Sequence, residues 1–252
     1  MRNRARLAVF GIFFLSGVCG LIYEITWLRL FRLVMGNTVY TSATVLTVFM
    51  AGLALGSFLC GRLIGHLRRP LRAYALLEAA VGISGLLVPL AFAVVEPLYA
   101  GAYRLFGHSP AVLGLARFAI SGALLIVPTT LMGATLPLLS RYMADTEAHL
   151  GRDIGRLYAL NTLGGALGAA LTGFGLIPAL GVYRTILVAV GGYLLVGAAA
   201  LWLARRPGAQ PGPAGPWPAG VPLPKAGSAA APLAAGQVVP SAGQAMLLVG
   251  LA

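Results

Sequence analysis

The 252 residues carry a formal charge of +12, yet only 10% are charged and 59% are hydrophobic. The arginines stand in short clusters at the ends of apolar runs, without a basic face or interleaved aromatics, which excludes a nucleic-acid-binding module. Apolar runs too long for a soluble core assign the chain to a lipid bilayer, where about 20 residues cross the hydrocarbon.

The first span is expected from about Leu7 to the low thirties, with Gly36-Asn37 as its stop. Arg2, Arg4 and Arg6 before LAVFGIFFL resemble a secretory leader, but apolar residues continue through Ile25, and Ser16-Gly17-Val18 fits poorly before a lipidated Cys19. The segment is therefore read as an uncleaved helix. The second span, about Val39 to Leu63, carries Gly52-x-x-x-Gly56 and Gly61-x-x-x-Gly65. Small residues four apart let helix backbones approach closely in lipid.

A basic loop, RLIGHLRRPLR, leads to a third span from about Ala73 to Val95, and a weakly charged connection, Glu96 to Pro110, follows on the other side. The fourth span, about Val112 to Leu139, contains Pro128 and Pro137 and should be kinked. Arg141 to Arg156 is the most polar stretch before residue 206 and reads as a cytoplasmic return. A fifth span, Leu157 to about Leu180, holds the ridge GGALGAALTGFG, and a tight turn at Gly181 to Arg184 opens a sixth that ends at Arg205-Arg206. Cytoplasmic segments in this layout hold 13 of the 18 lysines and arginines, which sets both ends of the six-span domain inside.

Composition changes after residue 206. Nine of the sixteen prolines fall within 207–240, which reads as a cytoplasmic Pro/Gly/Ala-rich linker. Residues 241–252 read as the start of a truncated seventh helix, so the chain is expected to be a piece of a longer protein.

Glu24 lies mid-run in the first helix, where an ionised carboxylate costs roughly 2.5 to 3.5 kcal/mol on insertion scales, so it should face the bundle and have a partner. Arg117 in the fourth span is the obvious choice, and a structural ion pair competes with a ligand role. Glu78, one turn beyond Tyr74, is expected near the interface as a solvated carboxylate or one paired with the arginine loop. Asn161 and Thr162 can hydrogen-bond across helices, with packing the favoured role. Pro128-Thr129-Thr130 frees backbone carbonyls that could line a cavity. His66, His108 and His149 fall in expected loops without metal spacing, and Cys19 and Cys60 read as small core residues. The glycine clusters lack the strand, Lys-Ser/Thr or acidic residue of a nucleotide cradle, and no nucleophile set can be assembled on one side of the membrane.

The run FLSGVCGLIYEITWLRL, followed in order by VFMAGLALGSFLCGRL, RRPLRAYALLE, PTTLMGATLPLLSRY and GRLYALNTLGGALGAALTGFGLIPALG, resembles the membrane half of bacterial proteins in which a multi-span region is fused to a spermidine synthase-like domain. The resemblance covers roughly residues 10 to 205. The six-span layout also resembles one half of a major facilitator transporter, and Gly61 to Arg69 looks like that superfamily's loop between helices two and three. Gly65 departs from it, standing where an acidic residue would be expected.

The expectation is an all-α integral membrane protein of the bacterial inner membrane: a six-helix bundle over residues 1–206 resembling half of a major facilitator fold, with the linker and truncated seventh helix behind it. The resemblance implies a missing C-terminal aminopropyltransferase-like domain using decarboxylated S-adenosylmethionine, with no catalytic, cofactor or metal residue in the present chain. It also implies polyamine as a ligand, for which Glu24, Tyr23, Trp27, Glu78 and Tyr74 are of the right type, since anions and aromatic faces attract alkylammonium groups. Arg117 and Asn161 complete the candidate substrate-binding set. The alternatives are half of a transporter and a membrane scaffold without a ligand. A water-lined midplane cavity reaching Glu24 and Arg117 would favour transport, and a dry bundle anchoring.

Overall fold

The computed structural model describes residues 2–67, 69–107, 109–143 and 147–206, all helical or in short connections. The expected linker at 207–240, the expected helix start at 241–252 and His108 lie outside the described residues. Five helical stretches are long and apolar enough to cross a membrane: Ala5–Met35, Val39–Leu63, Pro70–Phe106, Pro110–Met143 and Gly151–Ala204. The six expected spans thus form five apolar stretches, the last of them 54 residues long.

Helix α1 covers Arg2–Met35 and stops at Gly36, whose φ of 88° lies in the left-handed region that glycine tolerates best. Helix α2, Val39–Leu63, has the bounds expected from the sequence; its N-cap Thr38 accepts a hydrogen bond from the Thr41 amide at 3.1 Å. Helix α3 runs over Pro70–Phe106 with Pro89 and Pro97 inside it. This corrects the expected connection at 96–110: each proline removes one backbone bond, but the turns beyond Pro97 remain packed, with Tyr99 buried in the core, and helix continues.

Helix α4, Pro110–Gly133, and α5, Thr135–Met143, meet at a single turn residue, Ala134. Helix α6, Glu147–Leu171, passes through a π-helical turn, Thr172–Leu176, into α7, Ile177–Ala204. Within α7 the helix breaks at Gly181 (φ 76°, ψ 171°), inside the expected turn, while Val182 to Arg184 are already helical.

Contacts give the helix directions. Phe13 meets Tyr74, Ser16 meets Glu78 and Phe31 meets Phe92, so α1 and α3 run the same way. Gly164 lies against Phe14 and Gly168 against Val18, so α6 also runs with α1. Gly82 faces Tyr193 while Gly197 faces Ala75 and Ala79, so α7 runs against α3. The chain therefore reverses at Gly181.

Glycines set how closely helices cross. A side chain at Gly56 would strike the Thr130 carbonyl, and one at Gly133 the Leu53 carbonyl, locking α2 against α4. Gly164 and Gly168 do the same for α6 on α1. The second small-residue pair does not: nothing lies within 4 Å of a Cβ built on Gly61 or Gly65, because Gly61 lies one residue off the buried Gly52, Gly56 and Cys60 face and Gly65 lies beyond the end of α2.

Two apolar clusters fill the bundle. One, around Trp27, Phe31, Phe92 and Tyr193, lies towards the end where α1 finishes, and the other, around Val9, Leu71, Leu139 and Leu203, lies towards the end where α1 begins. At the second end Arg6 donates to Asp153 at 2.8 Å and to the Met143 carbonyl at 3.3 Å. Within the expected polar return at 141–156, Arg141 and Asp153 are buried, because α5 and α6 fold these groups under the start of α1.

Candidate functional site

Glu78 sits on the face of α3 turned to α1 and is fully buried. The Ser16 hydroxyl donates to its Oε1 at 2.9 Å, while Oε2 has no hydrogen-bond partner among the described residues. Tyr74, one turn earlier, is also fully buried, its hydroxyl beside Ser16 and Glu78 and its ring edge-on to Phe13 at 6.4 Å. The expectation of a solvated Glu78, or one paired with the arginine loop, is therefore wrong. α3 begins at Pro70, and two turns of helix carry residue 78 below the rim and against α1.

One turn further along α3, the Tyr23 hydroxyl donates to the Gly82 carbonyl at 3.0 Å. The Tyr23 ring stacks on Trp27 (centroids 4.7 Å, 17°) and on Tyr193 (5.2 Å, 26°), a three-ring column between α1, α3 and α7. Gly85 is required here, since a Cβ would overlap the Tyr23 ring. Tyr23 and Trp27 are thus brought together as the sequence suggests. They are completely shielded, however, and the column packs α1 against α7. Tyr193 was not singled out by sequence; a lone tyrosine inside the sixth apolar run was its only signal.

The pairing of Glu24 with Arg117 is not formed. Glu24 is half-buried on α1 with no ion pair among the described residues, while the Arg117 guanidinium lies over the Tyr99 ring, 5.8 Å from its centroid. The two residues sit on helices that barely touch, because α4 packs on α2 and α3. Asn161 acts in packing: its amide donates to the Phe13 carbonyl at 3.1 Å, and its own backbone abuts Gly17. Thr129 bonds back to the Leu125 carbonyl at 2.6 Å and is buried, so the Pro128 region is closed.

Arg117 instead lines a cleft of about 840 Å³ where α1 ends, between the later turns of α3 and the start of α4. Glu96, Tyr99, Tyr103 and Arg104 share its wall, and Tyr183 closes it from α7. Glu24 does not line it. The buried Nε of Arg117 has no hydrogen-bond partner among the described residues. Among those residues no group of three or more His, Cys, Asp or Glu could hold a metal ion, and Cys19 and Cys60 are buried free thiols.

No protein-family model and no solved structure matches the chain. A polyamine aminopropyltransferase of Mycobacterium tuberculosis is 30% identical over 170 residues, 66% of this chain and 30% of that protein. Polyamine aminopropyltransferase 2 of Streptomyces coelicolor is 27% identical over 208 residues, 80% of this chain and 36% of that protein. Polyamine aminopropyltransferase 1 of the same organism is 26% identical over 198 residues, 76% and 34% of the two chains. The chain spans about a third of the length of the curated relatives it matches. It is a helical protein with five stretches apolar enough to cross a membrane, and a distant homologue of polyamine aminopropyltransferases.

Proposed function

We propose that this chain is the membrane-embedded region of a polyamine aminopropyltransferase-like protein, and that it holds a catalytic domain of the same polypeptide at the cytoplasmic face of the bacterial inner membrane. The observation that carries the reading is the similarity itself, which runs along these apolar helices and covers only a third of each relative. The remaining length of the relatives leaves room for the domain that performs the transfer, with decarboxylated S-adenosylmethionine as its co-substrate.

The 54-residue stretch counts as two passes in this reading, since it reverses at Gly181 and a straight helix of that length would far exceed the roughly 30 Å hydrocarbon core. That makes six passes, with half of a major facilitator fold as the implied arrangement. The end of the bundle where α1 begins also gathers Arg6, Arg62, Arg72, Arg141, Arg156 and Arg205, which supports a cytoplasmic assignment. Two observations support anchoring over transport: the column at Tyr23 is shielded from solvent, and the cleft lined by Arg117 does not reach Glu24.

The test is expression of the complete coding region, followed by an assay of isolated membranes for aminopropyl transfer to putrescine. Activity in the membrane fraction that moves to the soluble fraction on deletion of residues 1–206 is the expected result. Membranes without transfer activity that accumulate labelled putrescine would replace this reading with the transporter one.

A further inference from the structure

The cleft where α1 ends has a polar rim and an apolar floor. Arg104 and Arg117 outnumber Glu96 along its wall, leaving an excess of one positive charge. Arg117 is the better placed of the two guanidiniums: it rests on Tyr99, which is itself buried, and its shielded Nε has no acceptor among the described residues. A shielded guanidinium N–H without an acceptor leaves a hydrogen bond that an anion can complete, and the planar fork suits the oxygens of a phosphate. Below the rim the floor is Leu30, Phe92 and Pro89, and Leu33 at the edge is 72% exposed, so the cleft opens sideways onto an apolar flank. Charge at one end and hydrocarbon at the other, at the tip of membrane-length helices, match an amphiphile lying along the bundle.

We propose that this cleft binds a phosphate-bearing amphiphile, with Arg117 and Arg104 holding the phosphate and Leu30, Leu33 and Phe92 taking the first part of an acyl chain. Glu96 opposes a purely anionic headgroup by like-charge repulsion and so tunes which headgroup is held. The inference stands apart from the aminopropyltransferase reading and survives if that reading fails.

The experiment uses the full chain in detergent micelles doped with phosphatidylglycerol, with diacylglycerol as the lipid lacking a phosphate and glycerol 3-phosphate as the phosphate lacking a chain. Bound lipid is counted by native mass spectrometry and thermal unfolding is followed in parallel. Phosphatidylglycerol should bind and raise the unfolding temperature, and Arg117→Gln should weaken it by about tenfold or more, the cost of one charge-assisted bidentate contact. Arg117→Lys should recover part of the loss, Glu96→Gln should tighten binding, and Arg206→Gln, which removes a guanidinium resting on Trp202 at the opposite end, should leave it unchanged. Should Arg117→Gln not fold, the exposed Arg104→Gln carries the same comparison. Glycerol 3-phosphate binding as well as phosphatidylglycerol would keep the phosphate subsite and overturn the acyl-chain part. Diacylglycerol binding equally well, or affinity unchanged in both arginine variants, would overturn the proposal.

Discussion

The Ser57 hydroxyl of α2 donates to the Gly133 carbonyl of α4 at 2.8 Å. That carbonyl would normally take the amide of residue 137, but residue 137 is proline and has no N–H to give. The neighbouring helix thus supplies the hydrogen bond that the proline withholds, at the point where the Gly133 backbone lies against Leu53.

Ser57→Ala should therefore destabilise the bundle by about 0.6 to 1.7 kcal/mol, the range of interhelical hydrogen bonds in membranes. The cost should shrink in a Pro137→Ala background, where the amide of residue 137 can serve Gly133 itself. Unfolding in mixed micelles of the two single variants and the double variant forms the cycle, and strict additivity would remove the relationship.

Glu78 accepts from Ser16 inside a fully buried interface, so shape and hydrogen bonding matter there more than charge. Glu78→Gln keeps an acceptor for Ser16 and should shift stability by less than about 1 kcal/mol. Glu78→Lys places an ammonium where no carboxylate faces it and should prevent recovery of monodisperse protein. Size-exclusion profiles of the two variants in detergent separate these outcomes.

Glycine substitutions should divide sharply. Gly168→Val and Gly133→Val drive a side chain into the Val18 and Leu53 backbones and should abolish folding, since neither neighbour is a flexible side-chain tip. Gly61→Ala and Gly65→Ala meet nothing and should lie within about 0.5 kcal/mol of the parent. Unfolding midpoints of the four variants check this.

Arg6 reaches Asp153 from the first turns of α1, with the two side chains 28% and 7% exposed. Arg6→Gln leaves that carboxylate without its ion pair and should cost about 1 to 3 kcal/mol, below the range for a fully buried pair because Arg6 is partly solvated. Asp153→Asn in the same chain should restore part of the loss. Thermal unfolding at low and high salt measures both effects.

The candidate site was legible in part. Tyr23 and Trp27 stand four apart on one helix and do stack, while Asn161 bridges helices as its amide suggested. Glu78 was misjudged because its depth depends on α3 starting at Pro70 and lying along α1, and Arg117 was misassigned because its partner depends on which helix α4 packs against. Ser16, Tyr193 and Asp153 carried only weak local signals; their roles arise from partners far away in the chain, Ser16 with Glu78, Tyr193 with Tyr23 and Asp153 with Arg6.

The sequence by itself determined that the chain is helical and built for lipid, because apolar runs of membrane length must satisfy their backbone bonds internally and a helix does so within one segment. It also determined α2 to the residue and the close approach at Gly52 and Gly56. Only the tertiary structure decided which faces are buried, why Gly61 and Gly65 are not, how α3 runs through Pro97, and where Arg117 finds an open cleft. The physical reason is that lipid and protein interior are equally apolar, so hydrophobic periodicity does not distinguish one from the other. Facing is set instead by steric fit and by hydrogen bonds between helices far apart in the chain.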